Sequence, residues 1–161
     1  LVMGTRCGDV DPAVVIFLRR LGYGLDEVDK LLNKSSGLLG LSGIGSNDMR
    51  DILRAIDENN AHARLALDVF VHRLVKYIGA YAAVLNGFDA LIFTAGIGEN
   101  VPRVRALVCE KLSFLGLHLD PARNKANERI ISRAGGAPLA MVIPTNEELM
   151  IARETQRILM A

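Results

Sequence analysis

The segment at residues 89–100, which reads DALIFTAGIGEN, places the strongest constraint on how this chain can fold. It starts with an apolar run over residues 91–93, typical of a buried strand, and continues into a turn that contains Gly96 and Gly98. A helical pattern with Pro102 in its first turn follows. A strand, a glycine turn and a helix start, in this order, present backbone N–H groups that can bind an anion. The segment by itself leaves a second interpretation open, in which glycine serves only the geometry of the turn.

The rest of the chain reads as helices with one further strand. Strands that alternate with helices define an α/β fold, and ligands of such folds bind where a strand ends and a helix begins. We predict a second strand at residues 139–143 and a glycine-rich loop at residues 33–47. Helices are predicted at residues 12–21, 25–32, 48–59, 61–85, 102–115, 120–133 and 146–160.

The helix predicted at residues 61–85 is the longest of the chain and carries an apolar face. We interpret it as the central core helix, with a role in an interface between copies as the alternative. The residues with the spacing of one buried face are Leu67, Phe70, Val71, Leu74, Ile78, Tyr81 and Leu85.

The composition is that of an ordinary globular protein and excludes several classes of function. The 161 residues fit one domain, and 19 basic residues nearly balance 18 acidic ones. A formal charge of +1 without a basic run argues against nucleic acid as a partner. No apolar stretch reaches transmembrane length and no signal peptide is visible, so no membrane partner is expected. Cys7 and Cys109 match no metal or redox spacing, which predicts inert packing in a reducing, cytoplasmic environment.

A second segment of interest follows the strand predicted at residues 139–143 and reads PTNEE. Thr145 and Glu148 have the spacing of a capping box, which accounts for Glu148 structurally. Glu147 is not needed for capping and would project from the first turn of the last helix. A single carboxylate there could hold Mg²⁺ while phosphates and water complete its shell. The simpler alternative for Glu147 is a solvated glutamate favoured by the helix dipole.

Two further segments contain candidate ligand-binding residues. Arg6 lies between Gly4 and Gly8 in the loop GTRCG, and its guanidinium offers a planar fork of donors for carboxylate or phosphoryl oxygens. The segment SNDMR closes the glycine-rich loop at a helix start, where it could contact a base or a sugar. The alternatives are an ordinary surface arginine for Arg6 and an N-cap for one of the first three residues of SNDMR.

Two common nucleotide-binding fingerprints are absent from the sequence. No G-x-x-x-x-G-K-[ST] motif occurs, and the spacing of Gly96 and Gly98 lacks the third glycine of the dinucleotide motif. A Walker-type ATPase and a Rossmann dehydrogenase are therefore unsupported.

Taken together and in their order, these segments resemble the C-terminal part of the acetate kinase (acetokinase) family. The resemblance covers the chain from Leu1 to about Thr155 and rests on the stretches VMGTRCGDVDP, LNKSSGLLGLSG, SNDMRDI, FTAGIGEN and VIPTNEELMIARET. It implies an RNase H-like α/β domain of the sugar kinase/heat-shock/actin superfamily, one of two such domains that close over a nucleotide. It also implies reversible transfer of the ATP γ-phosphoryl group to acetate, giving acetyl phosphate and ADP, with Mg²⁺ (or Mn²⁺) as the cofactor.

The same resemblance implies roles for individual residues. Arg6 matches the family's active-site arginine, which would stabilise charge on the phosphoryl group in transfer. Glu147 matches the glutamate that binds Mg²⁺. Cys7 stands where serine is frequent in the family, which is a mild departure. Two motifs match the nucleotide contacts of the family, namely Asp48, Met49 and Arg50 in the first and Gly96, Ile97, Gly98, Glu99 and Asn100 in the second.

The chain departs from the family in length, because family members carry an N-terminal domain that has no counterpart here. We therefore expect residues 1–161 to be a single C-terminal domain of a longer kinase, inactive by itself, with some exposed apolar surface. The resemblance also implies a homodimer that uses ATP, acetate and acetyl phosphate. Propionate and butyrate kinases share the motifs and are alternatives. An alternative of another class is a non-catalytic module that binds nucleotide or pairs with a second copy.

Overall fold

The computed structural model describes residues 1–160 and divides the chain into two compact units. The first unit comprises Leu1–Gly87, and the second begins at Phe88. Each unit has buried apolar residues of its own. Those fully or almost fully buried include Leu38, Ile52, Ile56, Leu67 and Val71 in the first unit, and Val104, Val108, Leu112, Leu117 and Ile131 in the second.

The first unit is built of helices within the described residues. Side-chain caps mark three of the helix starts, because Asp11, Asp48 and Asn60 each accept a hydrogen bond from a backbone N–H of the turn that follows. Four of the helices lie close to their predicted positions. The helices are α1 (Pro12–Arg20), α2 (Leu25–Lys34), α3 (Gly37–Ser42), α4 (Met49–Asp57) and α5 (Ala61–Val84).

Helix α3 corrects the prediction of a loop at residues 33–47. Glycine has low helix propensity, and the two glycines within these six residues hid the helix from the sequence pattern. Short helices are stabilised mainly by packing rather than by propensity. Here α3 packs on α5, and its residue Leu38 is buried. Tertiary contacts therefore decide the conformation of this segment.

Helix α5 is the core helix of the first unit, as predicted, and both α3 and α4 pack against it. Its predicted buried face is correct only in the first half, where Leu67, Phe70 and Val71 are buried. Tyr81 is 61% exposed and Leu85 is 66% exposed, so the prediction was wrong for the last turn. Periodicity identifies one face of a helix, but it does not say how far along that face the neighbouring helices extend.

The second unit contains a pair of parallel strands with helices between and after them. Strand β1 pairs with β2 in register from Ala90 opposite Leu139 to Phe93 opposite Val142. Parallel strands need a crossover connection, and the helices between β1 and β2 supply it. The elements are β1 (Ala90–Phe93), α6 (Ala95–Asn100), α7 (Pro102–Lys111), a 3₁₀ turn (Ser113–Leu115), α8 (Pro121–Lys125), β2 (Leu139–Val142) and α9 (Glu147–Leu159).

Two predictions for the second unit were wrong in detail. The glycine turn after β1 is itself the short helix α6, and α7 follows it as a separate helix. The helix predicted at residues 120–133 is limited to α8. Beyond α8, Asn127 adopts a φ of 53°, and the chain then forms antiparallel bridges through Ile130 and Ser132. Ile131, between them, is fully buried, so burial of this β-branched residue favours extended backbone over a charged helix.

No helix among residues 1–160 is both long enough and apolar enough to cross a membrane.

Candidate functional site

The loop that carries Arg6 is fixed to the helices beside it. The backbone N–H of Cys7 donates to the carbonyl of Leu32 at 2.8 Å. The side chain of Arg6 is exposed and makes no hydrogen bond or ion pair with residues 1–160, so its guanidinium is available to a ligand. The three backbone carbonyls before Arg6 accept hydrogen bonds of 2.9 Å from amides at the start of α3. The N–H of Leu38 donates to Met3, that of Leu39 to Gly4 and that of Ser36 to Thr5.

Gly37 allows this close approach between the loop and α3. Its φ is 61°, and a Cβ atom at this position would lie 2.3 Å from the carbonyl oxygen of Met3 and 2.8 Å from that of Arg6. Any other residue would be strained in this conformation and would push the loop away. The serine- and glycine-rich segment is thus a support for the Arg6 loop. The sequence had indicated either a ligand-wrapping loop or plain turns.

Asp9 anchors the end of the same loop on α5. The hydroxyl of Tyr77 donates to both carboxylate oxygens of Asp9, at 2.6 and 2.5 Å, and Arg73 forms an ion pair with it. The hydrogen bond from Tyr77 lowers the pKa of Asp9, and the charge of Arg73 acts in the same direction. These contacts and the bonds to α3 hold the loop from both sides of Arg6.

The predicted nucleotide contacts Asp48, Met49 and Arg50 begin helix α4. Asp48 is the N-cap, since its Oδ1 accepts from the backbone N–H of Arg50 at 2.8 Å, which confirms the capping interpretation for this residue. The guanidinium of Arg50 also binds both oxygens of Asp48, at 2.5 Å for the Nη2–Oδ2 pair. Hydrogen bonds from the side chain and the backbone of Arg50 lower the pKa of Asp48 to about 2. Met49 is only 3% exposed, so its side chain belongs to the core, and only its backbone remains for a ligand.

In the second unit, the parallel pairing brings the segments that follow β1 and β2 together. The hydroxyls of Thr94 and Thr145 are 2.6 Å apart, and the backbone N–H of Ala95 donates to the Thr145 hydroxyl oxygen at 3.1 Å. The GIGEN and PTNEE motifs therefore meet at the carboxyl ends of the two strands, where α/β proteins bind ligands. In the sequence these motifs are separate segments.

Glu99 connects the two motifs. Its Oε1 accepts from the backbone N–H of Thr145 at 2.8 Å and from the Thr145 hydroxyl at 3.1 Å. The backbone hydrogen bond from Thr145 is the main reason that the pKa of Glu99 is lowered. Glu99, predicted as a nucleotide contact, is thus first of all a cross-link between α6 and the chain that enters α9.

The two glycines of α6 have different structural roles. At Gly98 a Cβ atom would lie 3.2 Å from the carbonyl carbon of Phe93, so this glycine allows α6 to pack on the end of β1. At Gly96 a Cβ atom would meet nothing within 4 Å, and φ is not positive. The left-handed position of this turn is occupied by Ala95, with φ of 57°. The fold needs no glycine at position 96, which favours the alternative that a ligand approaches the backbone there.

Glu147 is the first residue of α9, and its exposed carboxylate has no hydrogen bond or ion pair with residues 1–160. The predicted capping box was wrong, because Asn146 is the N-cap and accepts from the N–H of Leu149 at 3.0 Å. Thr145 does not cap the helix, since its hydroxyl is used by Thr94, Ala95 and Glu99. Neither Glu147 nor Glu148 is therefore accounted for by a capping box.

The residues present fit a magnesium ion that is bound together with phosphates. Among residues 1–160, no three His, Cys, Asp or Glu side chains lie together as a ready-made ligand set. Mg²⁺ is usually held by one or two carboxylates, with substrate phosphates and water completing its octahedron. The exposed carboxylate of Glu147, at the start of the helix that follows β2, meets that requirement.

A cleft of about 500 Å³ opens beside α6 in the second unit. Asn100, Asn127 and Arg129 provide polar groups along it, and the end of β2 provides an apolar wall. The cleft is lined by Glu99, Asn100, Asn127, Arg129, Val142, Ile143 and Pro144. Its size is in the range of small-molecule sites.

One residue near the site was missed by the sequence analysis. Arg105 on α7 is fully buried, and its Nη1 donates to the backbone carbonyls of Gly98 at 2.8 Å and Glu99 at 2.7 Å. A signal was present in the sequence, since Arg105 has helical spacing to Val101 and Val108, both buried. A lone arginine in an apolar stripe indicates a buried charge with a specific set of acceptors.

The fold and these residues define an α/β protein with a candidate nucleotide site at the carboxyl ends of two parallel strands. The sequence model of the acetokinase family matches residues 1–153, and the chain belongs to this family. The acetate kinase of Leifsonia xyli subsp. xyli is 58% identical over 158 residues, which is 96% of this chain and 39% of that protein.

Solved structures agree with this assignment. The acetate kinase of Porphyromonas gingivalis has a TM-score of 0.91 and 43% identity, covering 99% of this chain and 41% of its own. A propionate kinase from Francisella tularensis has a TM-score of 0.89 and 42% identity, covering 96% of this chain and 40% of its own. The predicted family and the α/β fold class are confirmed. The chain spans about 40% of the length of the curated relatives it matches.

Proposed function

We propose that this chain forms the nucleotide- and magnesium-binding part of an acetate kinase, which transfers the ATP γ-phosphoryl group reversibly to acetate. The observation that carries the proposal is the junction of GIGEN and PTNEE. At this junction the fold does not require glycine at position 96, and the space beside the Gly96 backbone is open. The exposed carboxylate of Glu147 lies at the start of the helix that follows the neighbouring strand. Membership of the acetokinase family supports it. We further propose that residues 1–161 act as one functional domain.

In this proposal each predicted residue has a stated task. An oxygen of acetate forms a bond to the γ-phosphorus as the bond from that phosphorus to the β–γ bridging oxygen breaks, leaving ADP. Arg6 neutralises charge on the phosphoryl group in transfer, and backbone at Gly96 and Ile97 binds phosphate oxygens. Removing one donor of this kind typically raises the barrier by about 3 kcal/mol. Asp48, Met49 and Arg50 contact the nucleoside, Met49 through its backbone.

Glu147 is assigned to the metal. Mg²⁺ bound there would offset the negative charge of the phosphates. The chain's contribution is to place one carboxylate at the first turn of α9 and to hold that turn through Asn146 and Thr145. Gly98, Glu99 and Asn100 complete the GIGEN contacts, with Glu99 acting through Thr145.

The first test compares this chain with the full-length gene product that contains it. Mg-ATP and acetate are supplied, and acyl phosphate is trapped with hydroxylamine. We expect acyl phosphate from the full-length protein and none from residues 1–161 alone, because the N-terminal domain of the family has no counterpart in these residues. Absence of product from both proteins would contradict acetate kinase activity.

A pair of neighbouring glutamates tests the metal assignment. Glu147→Gln should raise the Mg²⁺ concentration needed for half-maximal activity by at least about 10-fold, since loss of a residue that only supports a metal ligand already has an effect of that size. Glu148→Gln removes the same charge one residue later and should change it less than about 2-fold. Equal effects of the two substitutions would contradict a specific role for Glu147.

The acyl substrate has a second candidate. The similarity to a propionate kinase favours testing propionate beside acetate, and butyrate extends the series. Comparison of kcat/KM for the three acids with the full-length protein decides between them. A preference for propionate or butyrate would replace acetate and leave the rest of the proposal in place.

The non-catalytic alternative shares the nucleotide site and differs in chemistry. Binding of Mg-ATP without any acyl phosphate formation would favour it. We propose a homodimer with either function, since α1 and α9 expose apolar side chains such as Phe17, Ile151 and Ile158. Light scattering of the full-length protein measures the oligomeric state.

A further inference from the structure

Arg105 is held by five hydrogen bonds in the interior of the second unit. Its side chain is fully buried on α7. The acceptors are all neutral oxygens. Nε donates to Asn124 Oδ1 at 2.7 Å. Nη1 donates to the backbone carbonyls of Gly98 at 2.8 Å and Glu99 at 2.7 Å. Nη2 donates to the backbone carbonyl of Asn124 at 2.8 Å and to Asn127 Oδ1 at 2.5 Å.

Net stability is a weak explanation for this arrangement. Burial takes the guanidinium out of water, which lowers the pKa of Arg105, and none of the five bonds leads to a carboxylate. Apolar residues of similar volume frequently stabilise a core as well as a buried charge does. What an arginine supplies here is direction, because a planar fork of donors fixes several carbonyls at once.

The element that Arg105 holds cannot be stable by itself. Helix α6 has six residues and begins at Ala95, whose φ of 57° is strained for a residue with a side chain. Its first N–H is fixed by the Thr145 hydroxyl, and two of its last carbonyls are fixed by Arg105. Glu99 is therefore held from two sides, by Arg105 at its carbonyl and by Thr145 at its carboxylate.

We propose that Arg105 is the positioning residue of the nucleotide site. It fixes α6, and through Glu99 and Thr145 it sets the start of α9 and the carboxylate of Glu147. Because Arg105 is fully buried, it acts through α6 and not directly on a ligand. This inference rests on the proposed function, since it assigns the alignment of that site to one buried side chain.

The test uses Arg105→Lys in the full-length gene product, with Arg123→Lys as the matched control. Lysine keeps the charge but cannot donate five bonds in a planar fork. Arg123 lies on α8 of the same unit and is partly exposed. Its Nε is 3.7 Å from Glu128 Oε2 and 3.9 Å from Asp120 Oδ2. We expect Arg105→Lys to raise both the KM for Mg-ATP and the half-maximal Mg²⁺ concentration about 10-fold, and Arg123→Lys to leave both unchanged.

Hydrogen exchange gives a readout that does not depend on activity. The N–H groups of Ala95 and Thr145 should lose protection in Arg105→Lys, because the partners that hold them are no longer aligned. The N–H of Ile143, which donates to the Phe93 carbonyl at 3.0 Å, should keep its protection. If wild type forms no acyl phosphate, the proposed function fails, and the exchange pattern still decides the role of Arg105.

Two outcomes would contradict a positioning role for Arg105. Loss of protection throughout the second unit, or a lower melting temperature with unchanged KM for Mg-ATP, would make Arg105 a stability residue only. If Arg105→Lys does not fold, Asn127→Gly replaces it, since glycine keeps the φ of 53° at this position and removes one acceptor of Arg105. The same selective loss at Ala95 and Thr145, smaller in size, is then expected, and its absence would overturn the proposal.

Discussion

At the scale of single residues, the positions of the glycines separate folding from ligand approach. Gly98 is packed against the end of β1, whereas Gly96 has open space and a φ that any residue adopts. The strained position of the turn belongs to Ala95. The fold itself therefore does not require glycine at position 96.

Alanine substitutions at Gly96 and Gly98 test whether each glycine serves the fold or the approach of a ligand. Gly96→Ala should leave the free energy of unfolding within about 1 kcal/mol of wild type or raise it, because alanine is the better helix former. It should nevertheless raise the KM for Mg-ATP, since the added methyl group blocks the open backbone. Gly98→Ala should lower stability by about 1–3 kcal/mol, because its Cβ would lie 3.2 Å from the Phe93 carbonyl carbon. Unchanged nucleotide affinity in a folded Gly96→Ala protein would contradict ligand approach at this point.

The carboxylate of Glu99 makes the free energy of unfolding depend on pH. Its pKa in the folded chain lies below the ordinary value of 4.5, so the ionised form is the one that folding favours. The stability that it contributes is fully present above pH 4.5 and is lost as the pH falls through the lowered pKa. Glu99→Gln removes this titration, so the decrease in unfolding free energy below pH 4.5 should be smaller than in wild type.

Chemical denaturation at a series of pH values measures this effect. Glu148→Gln is the control, since it removes an exposed carboxylate that follows the same segment. A pH dependence that is identical in wild type and Glu99→Gln would show that the contacts with Thr145 do not favour the ionised form in solution.

At the scale of elements, α3 and α6 are short helices that exist because of what they support. Helix α3 gives its first amides to the carbonyls of the Arg6 loop, and α6 gives its last carbonyls to Arg105. Neither helix is long enough to form by propensity. Their conformation and that of the functional loops are therefore coupled.

Two glycines of similar φ test the support that α3 gives. Gly37 has φ of 61°, and three carbonyl oxygens lie within 3.0 Å of the point that a Cβ atom would occupy, whereas Gly43 has φ of 64° with nothing within 4 Å. Gly43→Ala should lower stability by about 1–2 kcal/mol through backbone strain alone. Gly37→Ala adds a steric clash of about 1–3 kcal/mol and displaces Arg6, so full-length activity should fall only in this variant. Equal losses of stability and activity would contradict the support role of α3.

At the scale of the whole molecule, the two units have separate groups of buried residues. Ile52 in the first unit and Leu112 in the second are both completely buried. The predicted site residues are also divided, with Arg6 and the DMR motif in the first unit and the GIGEN motif and Glu147 in the second. The proposed mechanism therefore assigns roles to residues of both units.

Core truncations should affect the two units differently. Ile52→Ala and Leu112→Ala each remove a buried side chain and should cost about 2–5 kcal/mol. In the full-length protein, Ile52→Ala should speed hydrogen exchange mainly in residues 1–87, and Leu112→Ala mainly from Phe88 onward. Equal acceleration in both regions for either variant would mean that the chain opens as one cooperative unit.

The sequence by itself determined the family, the α/β class, both strands, the longer helices of the first unit and the candidate residues, but it missed the short helices α3 and α6. Local patterns carry this information, because apolar spacing and contiguous motifs do not depend on distant contacts. Only the tertiary structure decided that Thr145 pairs with Thr94 rather than capping α9, and that Met49 is core. It also decided which oxygens Arg105 binds. Each of these depends on partners far apart in the chain, whose approach is set by strand pairing and packing and leaves no trace in local spacing.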